Sequence, residues 1–217
     1  MHLSKAKKTL IQCDFDGTIT TEDVSFIILD RFASGDWRLL LKEYRAGKMP
    51  VGCLNTKAFA MVNASKHDML KFINGRVKIR DGFHEMVTYC RQRDFHVVIV
   101  SNGLDFYIKA VLDEIGLGDI PVSAAQTSFL PEGLQVRYVG PDGVCLQDGF
   151  KEAHVASFLE GGYQIVYVGN GISDFPAAKR CHHIFATGEL LDCCRVANVE
   201  CSAFTDFNII TKTLESL

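Results

Sequence analysis

Asp14-Phe15-Asp16-Gly17-Thr18 places two carboxylates one residue apart, directly after the strand-like run Thr9-Leu10-Ile11-Gln12-Cys13. Side chains alternate along an extended chain, so Asp14 and Asp16 face one side while Phe15 turns toward the core. Like charges at that spacing need a cation, a shared proton or a reacting group between them. The bland alternative is a turn with a helix cap, since Asp-Gly marks turns and Asp or Thr caps helices. If the run is a strand of an open α/β sheet, the pair stands at its carboxyl edge, where such folds bind ligands.

Three later segments carry compatible chemistry. Val98-Ile99-Val100-Ser101-Asn102-Gly103 is again an apolar strand ending in small polar residues before a helical pattern. A serine hydroxyl, free N–H groups and a helix start suit an anion, although a capping turn has the same composition. Lys151 follows Gln147-Asp148-Gly149-Phe150 at a helix start, where anions are favoured. It fits there if its ammonium reaches a phosphate; otherwise it is a solvated surface charge. Tyr167-Val168-Gly169-Asn170-Gly171-Ile172-Ser173-Asp174 is a third strand–turn–helix junction. Its glycines allow close backbone approach, and Asp174 either caps the next helix or ligates a hard cation. The G-x-G here lacks the remaining spacing of a dinucleotide fingerprint.

The elements that must hold these residues alternate between apolar strand-like runs and helical spacing, as in a parallel sheet covered on both faces. Strands are expected at 9–13, 95–100, 164–168 and 183–186, with a weaker one at 121–124. Helices are expected at 82–93, 104–115, 151–159, 174–180 and 206–217. Residues 22–75 hold no strand signal and suggest short helices, a helical insertion of lid size. Residues 122–149 suggest β-hairpins turning at Pro131-Glu132-Gly133 and Gly140-Pro141-Asp142-Gly143. The expected organisation is a core of 1–21 and 76–217 with a helical cap of 22–75.

A composition of 47% hydrophobic and 23% charged residues is that of a globular protein. The net charge of −3 gives no electrostatic case for nucleic acid, and no run is long and apolar enough for a membrane span. Residues 1–8 lack an apolar segment, so no signal peptide is expected. Eight cysteines include no C-x-x-C pair, and the Cys181-His182-His183 cluster with Cys193 and Cys194 fits no common zinc spacing. Free cysteines in a reducing, cytoplasmic compartment are expected. Oligomeric state is not legible.

In this order and over almost the whole chain, the motifs at 14–18, Ser101, Lys151 and 169–174 resemble the haloacid dehalogenase superfamily of phosphohydrolases. The helical insertion is similar to the cap of its phosphoserine-phosphatase-like branch. CDFDGTIT (13–20), SNGLDFYI (101–108) and GNGISDFPAAK (169–179) look most like the phosphatases of the methionine-salvage enol-phosphate. The resemblance implies a Rossmann-like parallel sheet sandwiched by helices with a small inserted helical cap. It also implies a phosphatase of a small phosphorylated metabolite. Asp14 would be the nucleophile, Asp16 the acid and base, and Lys151 the charge neutraliser. Thr18, Ser101, the Asn102 N–H and the turn at Gly103 would hold phosphate. Mg²⁺ would be held by Asp14, the Asp16 carbonyl, Asn170, Asp174 and waters.

One position departs from the family pattern, which has an acid where Asn170 stands. An amide oxygen still ligates magnesium but brings no charge. Glu22 or Asp23 could supply a cap acid that reads the substrate, whereas residues 46–58 offer lysines and no arginine for a carboxylate clamp. Phosphoserine is thereby demoted in favour of a polar, non-amino-acid phosphate such as a sugar- or ketone-derived one, with thiamine monophosphate still open. From another class, the chain could be a catalytically weakened protein that binds a phosphorylated metabolite.

Overall fold

The computed structural model describes residues 8–216. Strand β1 (Thr9–Cys13) is central and almost fully buried. It pairs in parallel with β2 (His96–Leu104) on one side and β6 (Gln164–Gly169) on the other. Beyond β2 lie β3 (Val122–Leu130), then antiparallel β4 (Gly133–Val139) and β5 (Cys145–Leu146). Beyond β6 lie β7 (His183–Ala186) and β8 (Ser202–Ala203), giving the order β5-β4-β3-β2-β1-β6-β7-β8. The chain winds outward one way from β1 and then the other way through β6, so a crevice opens where the order reverses.

Register makes that crevice the meeting point of the motifs. Cys13 is level with Ile99 on β2 and with Val168 on β6. Asp14 therefore leaves β1 beside Ser101 and the 169–174 loop, and its N–H extends the ladder to the Val168 carbonyl at 2.9 Å. The register of β2 against β3 shifts between Val100 and Leu104, a bulge that re-aims the segment next to this edge.

Four helices, α1 (Val24–Phe32), α2 (Trp37–Arg45), α3 (Val51–Phe59) and α4 (Lys66–Ile73), are inserted after the acid pair. Asp23 caps α1 by accepting from the Phe26 N–H, and Phe26 stacks on Trp37. Helices α5 (Phe83–Gln92), α6 (Asp105–Glu114), α7 (Phe150–Glu160), α8 (Phe175–Ala178), α9 (Gly188–Ala197) and α10 (Phe207–Leu214) complete the layers. Alternate residues of the central strands feed two buried clusters, Ile11 and Val166 on one face, Leu10 and Ile165 on the other.

The expected alternation of strands and helices is present, with differences at particular elements. β2 continues through Ser101–Gly103 where a turn was expected, and the weak strand at 121–124 runs on to Leu130. The helix expected at 174–180 is a 3₁₀ turn, Ile172–Asp174, followed by the single turn of α8 with its Pro176. Helix α9 and strand β8 were not among the expected elements. The last expected helix ends at Leu214, and Leu217 lies outside the described residues.

Arg80, on the segment returning from the four helices, pins the loop after β1. Its guanidinium donates to the carbonyls of Gly17 (2.7 Å), Thr18 (2.8 Å) and Thr205 (3.0 Å). Charge-assisted bonds of this kind are each stronger than neutral ones. Arg80→Leu is expected to lower stability by about 2 kcal/mol, and Arg80→Lys to recover under half, since an ammonium lacks the planar fork. Urea unfolding midpoints check both values.

Candidate active site

A cavity of about 310 Å³ opens at the carboxyl edge of β1 and β6 beneath α1–α3. Asp14, Asp16, Gly17, Asp23, Ser101, Asn102, Gly103, Lys151 and Asn170 all line it. Phe15 is fully buried while both acids border the cavity, as the alternation of an extended chain requires. Gly17 makes the turn possible: its φ is +71°, and a side chain there would strike the Asn170 amide.

The floor is a buried ionic triad. The Lys151 ammonium, 2% exposed, contacts Asp14 Oδ1 at 2.8 Å and Asp174 Oδ1 at 2.5 Å. It is therefore no solvated surface lysine. Burial by itself would lower its pKa, but the two carboxylates more than offset that and hold it above the usual lysine range. Asp174 also accepts from Tyr167 Oη (2.7 Å) and from the Asn170 and Gly171 N–H groups (3.0 and 2.8 Å). Both its oxygens are thus taken by protein donors, and it stands a layer behind the cavity wall.

Asp16 is held differently. Its Oδ1 accepts from the Val24 N–H at 3.0 Å, and its Oδ2 from Tyr107 Oη, which also bonds Ser25 Oγ at 2.8 Å. Burial pushes this carboxyl up to about 8, with the Asp23 charge adding to the shift. Burial likewise raises Asp14 to about 7, with Asp174 adding and Lys151 opposing. Asp23 rises to about 7, again through burial first.

Not every expected site residue faces the cavity. Thr18 is fully buried, and its hydroxyl donates to Asn170 Oδ1 at 2.9 Å instead of facing a phosphate position. Glu22 is exposed and contributes only its carbonyl, accepting from Thr20 Oγ1 and the Gly17 N–H, so of the two acids Asp23 is the one that lines the cavity. Ser101 Oγ accepts from the Gly103 N–H at 3.0 Å, which leaves its proton free to donate. A side chain at Gly103 would overlap Tyr107 Oη and Asp16 Oδ2.

Several contributors were given no role beforehand: Ser25, Asn55, Tyr138 and Arg80 lie outside the motifs, and Tyr107 and Tyr167 lie within motif segments with no chemistry assigned to them. Each reaches the site from a different element, and a lone tyrosine or asparagine gives no signal of that. Arg45, just before the stretch searched for a clamp, lines the cavity mouth but pairs with Glu189 at 3.1 Å. The Cys181–His183 cluster finds ordinary partners: His182 Nδ1 accepts from the Ile165 N–H and His183 bonds Ser202.

The oxygen donors present fit a hard divalent cation. Asp14 Oδ2 and the Asp16 carbonyl accept no hydrogen bond among the described residues, and Asn170 Oδ1 keeps a second lone pair. Burial disfavours the charged forms of Asp14, Asp16 and Asp23, and a cation beside them would favour those forms again. Among the described residues no three His, Cys, Asp or Glu side chains converge as a ligand set, so amide and carbonyl oxygens must share the work.

The sequence pattern of the haloacid dehalogenase-like hydrolases matches residues 11–179, and the chain belongs to that family. It is 27% identical over 216 residues to the 2-hydroxy-3-keto-5-methylthiopentenyl-1-phosphate phosphatase of Brevibacillus brevis, covering 98% of this chain and 97% of that one. The enzyme of the same name from Geobacillus thermodenitrificans is 29% identical over 218 residues, with 97% of both chains covered. Among solved structures, a phospho-aspartyl intermediate analogue of phosphoserine phosphatase matches with a TM-score of 0.72 at 20% identity. That match covers 95% of this chain and 99% of that one. The expected hydrolase class and the capped α/β fold are borne out, and the named relatives are phosphatases.

A carboxyl raised above its unfolded value of roughly 3.9 stabilises the fold fully below that pH. The contribution is lost as pH rises through the folded value, here about 7 to 8. The thermal unfolding midpoint of the metal-free chain is therefore expected to fall between about pH 4 and about pH 8, and Mg²⁺ to lessen the fall. Circular dichroism melts in EDTA, with and without Mg²⁺, check this; a flat or rising midpoint contradicts it.

Proposed function

We propose that the chain is a Mg²⁺-dependent phosphatase that hydrolyses a small phosphorylated metabolite through an aspartyl-phosphate. The observation that carries this is the different bonding of two neighbouring carboxyls: Asp14 sits on the Lys151 ammonium, while Asp16 is held by the Val24 N–H and the Tyr107 hydroxyl. Such a split separates a nucleophile from an acid. The phosphate is seated by the Ser101 hydroxyl and the Asn102 N–H. Asp14 Oδ2, which has no hydrogen-bond donor among the described residues, attacks phosphorus. Asp16, held by Val24 and Tyr107, gives its proton to the departing alkoxide and then takes one from the water that cleaves the acyl phosphate. Lys151 offsets charge on Asp14 throughout. When bound, Mg²⁺ would be held by Asp14, the Asp16 carbonyl and Asn170, with Asp174 behind them, and would supply positive charge to the phosphoryl oxygens.

We take residues 22–75 as the cap that reads the leaving group and 1–21 with 76–217 as the core. The cavity wall formed by Phe26, Leu41, Val51 and Leu54 is apolar, and Arg45 is already paired with Glu189. These features favour a non-amino-acid phosphate with an apolar tail, such as the enol-phosphate named for the relatives, over phosphoserine or thiamine monophosphate. A cytoplasmic setting is favoured by eight free cysteines. A phosphate-release screen over these substrates decides between them, and binding without release would favour a sensor protein.

Asp14→Asn is expected to cut phosphate release by more than about 10³-fold, since no other carboxylate can take its place in line. Surviving activity would end the aspartyl-phosphate proposal. Asn170→Asp restores a charge beside the cation position, so the Mg²⁺ concentration for half-maximal rate should fall. The Mg²⁺-induced rise in unfolding midpoint should grow with it, whereas no change in either would show that the amide does not limit Mg²⁺ binding.

A further inference from the structure

The Asn102 carbonyl lies at the centre of a closed hydrogen-bond ring drawn from three separate parts of the chain. Asn55 Nδ2, on α3, donates to it at 2.8 Å, and Tyr138 Oη, on β4, donates at 2.7 Å. Asn55 Nδ2 also donates to Tyr138 Oη at 2.8 Å. Both lone pairs of the carbonyl are used. Asn55 and Tyr138 are buried, and the Tyr138 ring packs on Phe150.

We propose that Asn55 and Tyr138 are positioning residues that aim the Ser101 hydroxyl at the substrate phosphate by locking the Asn102–Gly103 peptide. The proposal rests on the phosphatase reading above. A peptide unit is planar, so fixing its carbonyl fixes its N–H. That N–H belongs to Gly103 and donates to Ser101 Oγ at 3.0 Å. With a lone pair of Oγ so engaged, the Ser101 proton is directed elsewhere, and Ser101 lines the cavity. The lock matters because the regular ladder is interrupted here: the register of β2 against β3 shifts between Val100 and Leu104. Side chains from the inserted helices and the hairpin supply the constraint in place of a neighbouring strand. Their bases are braced together, since a side chain at Gly52 on α3 would lie 2.6 Å from the Gln147 carbonyl, and one at Gly133 would strike the Ala60 carbonyl.

The test is competitive inhibition by inorganic phosphate, with p-nitrophenyl phosphate turnover, in wild type, Tyr138→Phe, Ser101→Ala and the double variant. Tyr138→Phe keeps the ring and removes one donor, so Ki for phosphate and KM are expected to rise about fivefold, with kcat within about twofold. In the Ser101→Ala background the same change should do almost nothing, because its effect travels through that hydroxyl. A merely structural tyrosine would raise Ki equally in both backgrounds, and that result overturns the proposal, as does an unchanged Ki in the single variant. If Tyr138→Phe does not fold, Asn55→Ala in the same two backgrounds carries the same comparison. A wild-type chain that neither binds phosphate nor releases it overturns the phosphatase reading itself, and the positioning role with it.

Discussion

The buried ammonium of Lys151, shared by Asp14 and Asp174, is the interaction on which the rest of the structure depends. It ties the end of β1, the first turn of α7 and the loop after β6 into one floor. Burying a charge is costly unless partners and hydrogen bonds compensate, and here they do: Asp174 is saturated by Tyr167 and two backbone N–H groups. Removing one member of such a set leaves an uncompensated buried charge, typically a loss of about 3–5 kcal/mol. The triad therefore fixes both where Asp14 stands and how its charge is offset.

The same low-dielectric setting separates the two acids of the pair. Asp14 has a cation beside it, whereas Asp16 has only an amide N–H and a phenol, with Asp23 nearby adding like charge. One residue of spacing thus gives the two acids different partners, a buried cation for one and neutral donors for the other. Negative charge still exceeds positive charge on the cavity wall, and a phosphate dianion would widen that excess. A divalent cation on the Asp14, Asp16 and Asn170 oxygens balances it on the proposed reading.

Around this floor the inserted helices and the hairpin form the remaining walls. α3 is braced on the hairpin through buried contacts, while α2 reaches the core at the mouth through the half-exposed Arg45–Glu189 pair. Exposed pairs of that kind contribute little to stability. The apolar wall from Phe26 to Leu54 and the neutralised arginine, more than the acid pair, bear on which leaving group fits.

The sequence by itself determined which strand ends meet at the candidate site. The acid pair after an apolar strand, Ser101 at the end of a second and the 169–174 loop after a third are local patterns, and parallel pairing in register brings strand ends together whatever the loops do. The helical insertion and the hairpins were legible for the same reason, since periodicity and turn residues act locally. Tertiary structure alone decided whether Lys151 was surface or floor, that Thr18 turns to Asn170, and that Asp23 and not Glu22 meets the cavity. It also brought Tyr107, Asn55, Tyr138 and Arg80 to the motifs from elements far apart in the chain. Those contacts depend on the directions of single side chains across packed elements, and no spacing rule along the chain encodes such directions.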